Sequence, residues 1–179
     1  MKPIRIIGVG SPFGQDQLGF NVISALEGGG FAEHFPPSLI SLQRSDRPGA
    51  ALLELFKGST SVILIDAFYV PDNNRTFVRW IDTRELLHEP ALFSSHNFGI
   101  TEALQLGRVL GELPERLRIL GIAMTGLHGH CAISPALYRD IATHLFDEIC
   151  ATCRQLNIDL PADLSPDSVA EFPQNGENS

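Results

Sequence analysis

The sequence predicts a three-layer α/β/α sandwich with a mainly parallel, twisted sheet, and three observations lead there. Strand-length apolar runs alternate with segments whose apolar residues recur at helical spacing, in the order strand-helix-strand-helix-strand-strand-helix-strand-helix. The run Ser61-Val62-Ile63-Leu64-Ile65-Asp66-Ala67 is continuously apolar and rich in β-branched residues until it meets a carboxylate. Such a run marks a central strand buried on both faces of a parallel sheet. Finally, Gly8 to Glu27 reads as strand, loop and helix, which puts loop side chains at a strand's carboxyl end, where open α/β sheets bind their ligands.

Taken in order, the first strand is the apolar set Ile4, Ile6, Ile7 and Val9. It breaks at Gly10-Ser11-Pro12, passes through the polar Gln15-Asp16-Gln17, and enters a helix in which Leu18, Val22 and Leu26 share a face. Gly28-Gly29-Gly30 ends that helix, because glycine accepts the left-handed geometry of a helix C-terminus. A second strand is predicted at Ser38 to Leu42, followed by a polar turn from Arg44 to Gly49 and a short helix from Ala50 to Phe56 that Lys57-Gly58 closes. After the central strand, Pro71-Asp72-Asn73-Asn74 turns the chain into the alternating segment Arg75 to Ile81, a half-exposed strand at an edge.

The stretch from Leu86 to Asn97 reads as a loop carrying His88 and His96. A helix from Ile100 to Leu110 follows, with Ile100, Leu104 and Val109 inward and Gly111 after its end. Arg118 to Ala123 is the last strand. A Gly- and His-containing loop then leads to Ser134-Pro135, an N-cap with proline in the first turn, which opens a helix running to about Leu156. Past Leu160 the chain is polar and Pro-containing. The expected organisation is therefore one domain over 1–160 and a poorly ordered tail over 161–179.

Bulk properties narrow the function. No apolar stretch approaches the roughly 20 residues needed to cross a bilayer, and the opening MKPIRIIGVG lacks a small-residue cleavage site. A soluble cytoplasmic protein without a membrane role is expected. A net charge of −8 opposes nucleic-acid binding, which rests on neutralising phosphates; Arg75, Arg79, Arg84 and Arg116 are scattered and form no stripe. The cysteines are Cys131, Cys150 and Cys153, too few for a disulfide scaffold and expected as reduced thiols.

Gln17, Asp66 and His96 come from three separate loops that this topology places at the carboxyl edge of the sheet. An amide oxygen, a carboxylate and an imidazole converging there could hold a divalent cation, with imidazole favouring a transition metal. The alternative is local: Asp66 braces a loop, His96 caps the following helix, and Gln17 is a solvated first-turn residue. Other motifs carry less. Gly8-x-Gly10 lacks the third glycine of a dinucleotide fingerprint, and Asp16 would repel a pyrophosphate there. Cys150-x-x-Cys153 lies deep in a predicted helix, away from the N-terminus where thiolates are stabilised, and reads as two small buried residues. His128-Gly129-His130-Cys131 resembles a metal-ligand tract in composition only.

In their order and spacing these motifs resemble the hydrogenase maturation protease family over about residues 4 to 155. The carrying residues are Gly8-Val9-Gly10-Ser11 through Asp16-Gln17-Leu18-Gly19, Ile65-Asp66-Ala67, Ser94-Ser95-His96, Gly121-Ile122 and Ile133-Ser134-Pro135. The resemblance implies an endopeptidase that removes a C-terminal peptide from the large-subunit precursor of a nickel-iron hydrogenase after nickel insertion. It implies that Asp16, Asp66 and His96 serve catalysis and that Gln17, Asp66 and His96 contact nickel carried by the precursor, with no organic cofactor and a monomeric enzyme. A cation at Asp66 and His96 would polarise the scissile carbonyl and acidify a water; an unligated Asp66 would instead act as general base. The other implied role is a maturation factor of the same fold that binds metal or precursor without cutting.

Two positions depart from the family pattern. Gln17 stands where an acidic residue is usual, and its amide can coordinate but brings no charge and cannot serve as a base. Arg44-Ser45 stands where the family commonly has Asp-Gly in a turn that bears on substrate choice, with Asp46 displaced by two residues.

Overall fold

In the computed structural model, strands β1 (Ile4–Gly10), β2 (Ile40–Asp46), β3 (Ser61–Tyr69), β4 (Phe77–Ile81) and β5 (Arg116–Met124) form one sheet in the order β2-β1-β3-β5-β4. The structure describes residues 3–11, 17–46, 48–70, 75–83, 97–124 and 132–173. Every pairing is parallel except β4 with β5, which is antiparallel. The alternating segment thus lies at an edge, as its half-exposed pattern predicts. The apolar β1 and β3 occupy the interior of the sheet, where both faces are covered.

Helices α1 (Leu18–Gly28) and α4 (Pro135–Leu156) cover one face, while α2 (Leu52–Phe56) and α3 (Asn97–Leu110) cover the other. Strand alternation produces the two cores directly. Ile4, Ile6, Ile63, Ile65, Leu120 and Ile122 pack toward α1 and α4. Ile7, Val9, Val62, Leu64, Phe68 and Ile119 pack toward α2 and α3. The expected three layers and mainly parallel sheet are both present.

Helix ends follow the local chemistry. Ser134 Oγ accepts the Leu137 N–H at 3.2 Å, Pro135 sits in the first turn, and Asn157 takes the left-handed conformation (φ 53°) after the last. At the end of α1, Gly30 takes the left-handed turn (φ 66°) before a short 3-10 helix, Phe31–His34. On α4, the buried carboxylate of Glu148 is paired with Arg116, and Arg118 Nε stands 3.5 Å away, tying the helix to the start of β5. Cys153 is buried and Cys150 half-buried on the same helix, and both thiols are reduced. Burial pushes both thiols up, Cys153 to about 11, so neither has thiolate character at neutral pH.

The structure corrects three expectations. β2 starts later and runs further than the segment Ser38 to Leu42, so Arg44, Ser45 and Asp46 lie in strand, opposite Gly8, Val9 and Gly10 of β1. An edge strand is paired on one side only and tolerates polar residues there. Val109 is 83% exposed, whereas Ile100, Ala103 and Leu104 are buried; five residues past Leu104 the helical period has turned away from the core. The chain past Leu160 is folded through residue 173. Helix α5 (Pro166–Val169) is closed by a reciprocal Ser165–Ser168 capping box. Val169 and Ala170 are buried, and the Phe172 ring stands edge-on to Tyr138 at 5.4 Å.

Candidate functional site

The position of the site follows from where the pairing of β1 with β3 stops. Their register ends at Gly8 opposite Ile65, while β3 continues beside β5 as far as Tyr69. From β1 the chain leads to β2 on one side of the sheet, and β3 is followed by strands on the other. The β1/β3 boundary is therefore the topological switch point, and its carboxyl end is where open α/β sheets form a ligand crevice.

Asp66 is the first residue of β3 beyond that shared register, and it is 3% exposed. Alternation along β3 puts it on the same face as Leu64 and Phe68, the face covered by α2 and α3. Its Oδ1 accepts the Ala67 N–H at 2.8 Å. A carboxylate at this depth needs hydrogen bonds or a cation to offset its desolvation.

Gln17 reaches the same edge through two glycines. A Cβ on Gly8 would lie 2.1 Å from the Gly19 carbonyl oxygen, and one on Gly19 would lie 2.0 Å from that of Val9. Only bare backbone allows the first turn of α1 to press onto the end of β1 in this way. Gln17 occupies the N-cap position of α1, half-buried, and its side chain makes no capping bond to the helix. Its backbone oxygen accepts the Asn21 N–H at 2.8 Å.

Helix α3 begins at Asn97, the residue after His96, on the face that Asp66 shares. His96 and Asp16 themselves lie outside the described residues, as do His88, His128, His130 and Cys131. Among the described residues no group of three His, Cys, Asp or Glu side chains forms a metal cluster. Asp66 on β3 and Gln17 at the N-cap of α1 are thus the described members of the expected set.

Arg44 has a role that sequence reading missed. From β2 its guanidinium donates to Ser24 Oγ at 3.0 Å and pairs with Glu27, both on α1. It clamps the edge strand to the helix that carries Gln17. Asp46 ends β2 opposite Gly10, at the same edge of the sheet.

The fold is shared with solved endopeptidases. The chain superposes on an endopeptidase from Escherichia coli with a TM-score of 0.63 at 21% identity, covering 92% of this chain and 100% of that one. On the hydrogenase maturating endopeptidase HybD from Escherichia coli the TM-score is 0.60 at 22% identity, again covering 92% and 100%. These likenesses establish the fold. No family model matches the chain.

One relative is more particular. The hydrogenase 2 maturation protease of Escherichia coli (strain K12) is 24% identical over 161 residues, which cover 87% of this chain and 93% of the relative. The chain is thus similar in sequence and in fold to the hydrogenase maturation proteases, as its motifs suggest.

Proposed function

We propose that the chain is a processing endopeptidase that removes a C-terminal peptide from the large-subunit precursor of a nickel-iron hydrogenase once nickel has been inserted. The observation that carries this reading is Asp66, a carboxylate 3% exposed at the β1/β3 switch point. The similarity to a hydrogenase 2 maturation protease along nearly the whole of both chains supports it.

In this reading nickel arrives as part of the substrate. Asp66, His96 and the Gln17 amide contact it, and Asp16 supplies the negative charge that Gln17 lacks. A cation so held draws electron density from the scissile carbonyl and acidifies the attacking water, and Asp66 accepts the water's proton wherever it is not itself a ligand. The enzyme works in the cytoplasm as a monomer and carries no organic cofactor. Among the described residues no helix is long and apolar enough to cross a membrane.

A second reading, a maturation factor that binds the precursor without cutting it, is favoured by one observation: the neutral Gln17 at the N-cap of α1. Asp66→Asn decides between them. It preserves shape and removes the charge, so an endopeptidase loses cleavage by about a thousandfold while keeping its circular dichroism and melting temperature. A variant that still trims the precursor at the wild-type rate removes Asp66 from the site.

A further inference from the structure

Strand β2 lies at one end of the sheet order, so one side of its backbone is left to account for. The Ile4 N–H donates to the Leu39 oxygen at 3.1 Å, which fixes the parity of the ladder. Alternate residues of a strand turn their backbone groups to opposite sides. Leu39, Ser41, Gln43 and Ser45 therefore face β1, while Ile40, Leu42 and Arg44 turn N–H and C=O to the open side. Among the described residues no strand and no loop backbone bonds to that side.

Proteins usually block such an edge with proline, lysine, a bulge or a covering segment. β2 holds no proline or lysine, and its pairing with β1 runs without a bulge from Ile40 to Asp46. Arg44 does not screen it either, because its guanidinium is held by Glu27 and Ser24 on α1.

A concavity of about 260 Å³ opens beside this edge, lined by Leu26, Glu27, Gly30, Ala32, Glu33 and Leu42. Leu42 stands opposite Ile6, on the face covered by α1, and the alternate side chains of a strand added outside β2 would project on that same face. The walls are apolar through Leu26, Ala32 and Leu42, and the charged groups are two carboxylates. Glu27 already pairs with Arg44, whereas Glu33 is exposed and in no ion pair among the described residues. Apolar walls under a carboxylate rim suit the methylene stem and cationic head of a lysine or arginine.

The edge also leads to the crevice. Asp46, at the carboxyl end of β2, stands opposite Gly10. A strand outside β2 lies three strand spacings from β3, roughly 14 Å, which about four extended residues cross. About four more run along β2 from Leu42, so a side chain in the concavity sits roughly eight residues from a bond held at Asp66.

We propose that the open edge of β2 docks an extended segment of the precursor's C-terminal region, which adds to the sheet as a further strand and seats a lysine or arginine in the concavity beside Glu33. Backbone bonds supply affinity and the concavity supplies selectivity, the division of labour in strand addition. The proposal rests on the endopeptidase reading for the identity of the partner, and on β2 and its concavity for the mode of binding.

Overlapping synthetic peptides spanning the C-terminal region of the precursor test it, with binding to the full chain read by fluorescence anisotropy. A peptide containing lysine or arginine is expected to bind. Changing that residue to methionine, or Glu33→Gln in the protein, is expected to weaken binding about fivefold, the upper range for an exposed ion pair. On the methionine peptide, Glu33→Gln should cost nothing further. N-methylation of alternate peptide amides should abolish binding in one parity and spare it in the other. Absence of binding by every peptide, a Glu33→Gln penalty that persists on the methionine peptide, or indifference to the parity of methylation overturns the proposal. The predicted binding pattern in a protein that leaves the nickel-loaded precursor uncut removes the endopeptidase reading and keeps the docking edge. Cleavage without that pattern removes the docking edge alone.

Discussion

In the proposed reaction, Gln17 is the residue on which the strength of nickel contact turns. Its amide brings a carbonyl oxygen to the start of α1 without charge. Gln17→Glu is expected to tighten nickel binding about tenfold, the gain from adding charge to one contact, as read by calorimetry with the metal alone; unchanged affinity would place the side chain outside the site. Cys153 makes a different point at the same scale. Its thiol is raised from 9.0 to about 11 by burial, so the folded state holds a proton that the unfolded state releases first. That contribution is complete below pH 9 and is lost as pH rises toward 11, amounting to roughly 3 kcal/mol. Denaturant melts across this window should show the decline, and Cys153→Val should flatten it. The interior place of this cysteine was legible from its depth in a helical pattern, as was that of Asp66 from the apolar run it ends. The clamp made by Arg44 was not, because polar residues before a Pro-Gly pair look the same in a turn and at the end of an edge strand.

At the scale of elements, the site depends on how closely α1 approaches β1. Gly19→Ala would drive a methyl into the Val9 carbonyl, backbone against backbone with no flexible side chain to yield. A cost of about 3 kcal/mol is expected, seen as a fall in melting temperature on the order of 10 °C, with precursor cleavage reduced more than stability alone explains because Gln17 rides on the same turn. A variant as stable as the wild type would show that the two elements part easily. The C-terminal segment is the element most misjudged from sequence. Its polar composition hid Leu160, Leu164, Val169 and Phe172, which are spaced so that they reach the α1/α4 core together. Truncation after Leu160 should cost about 4 kcal/mol through lost apolar burial; a truncated chain with an unchanged melting temperature would return the segment to the status of a tail. Val109 was misplaced because it lies nine residues from Ile100, about two and a half helical turns, and so faces away from the core.

For the whole molecule, the fold class was readable because each local signal agreed with the same layered architecture. Continuous apolar runs marked the buried strands, alternation marked the edge strand, and Ser134-Pro135 marked the last long helix. Strand order was not readable in the same way, since it is set by pairings between distant segments. It is that order, with β3 placed between β1 and β5, that turns Asp66 from a strand-end carboxylate into a residue at a switch point.

The central claim is that this crevice cuts a hydrogenase precursor only after nickel is in place. The most direct measurement is the intact mass of the large-subunit precursor from the same genome, incubated with the enzyme in nickel-loaded and nickel-free form. The account predicts loss of one short C-terminal peptide from the loaded precursor and no change in the nickel-free one. An unchanged mass for the loaded precursor, or equal trimming of both forms, would contradict it.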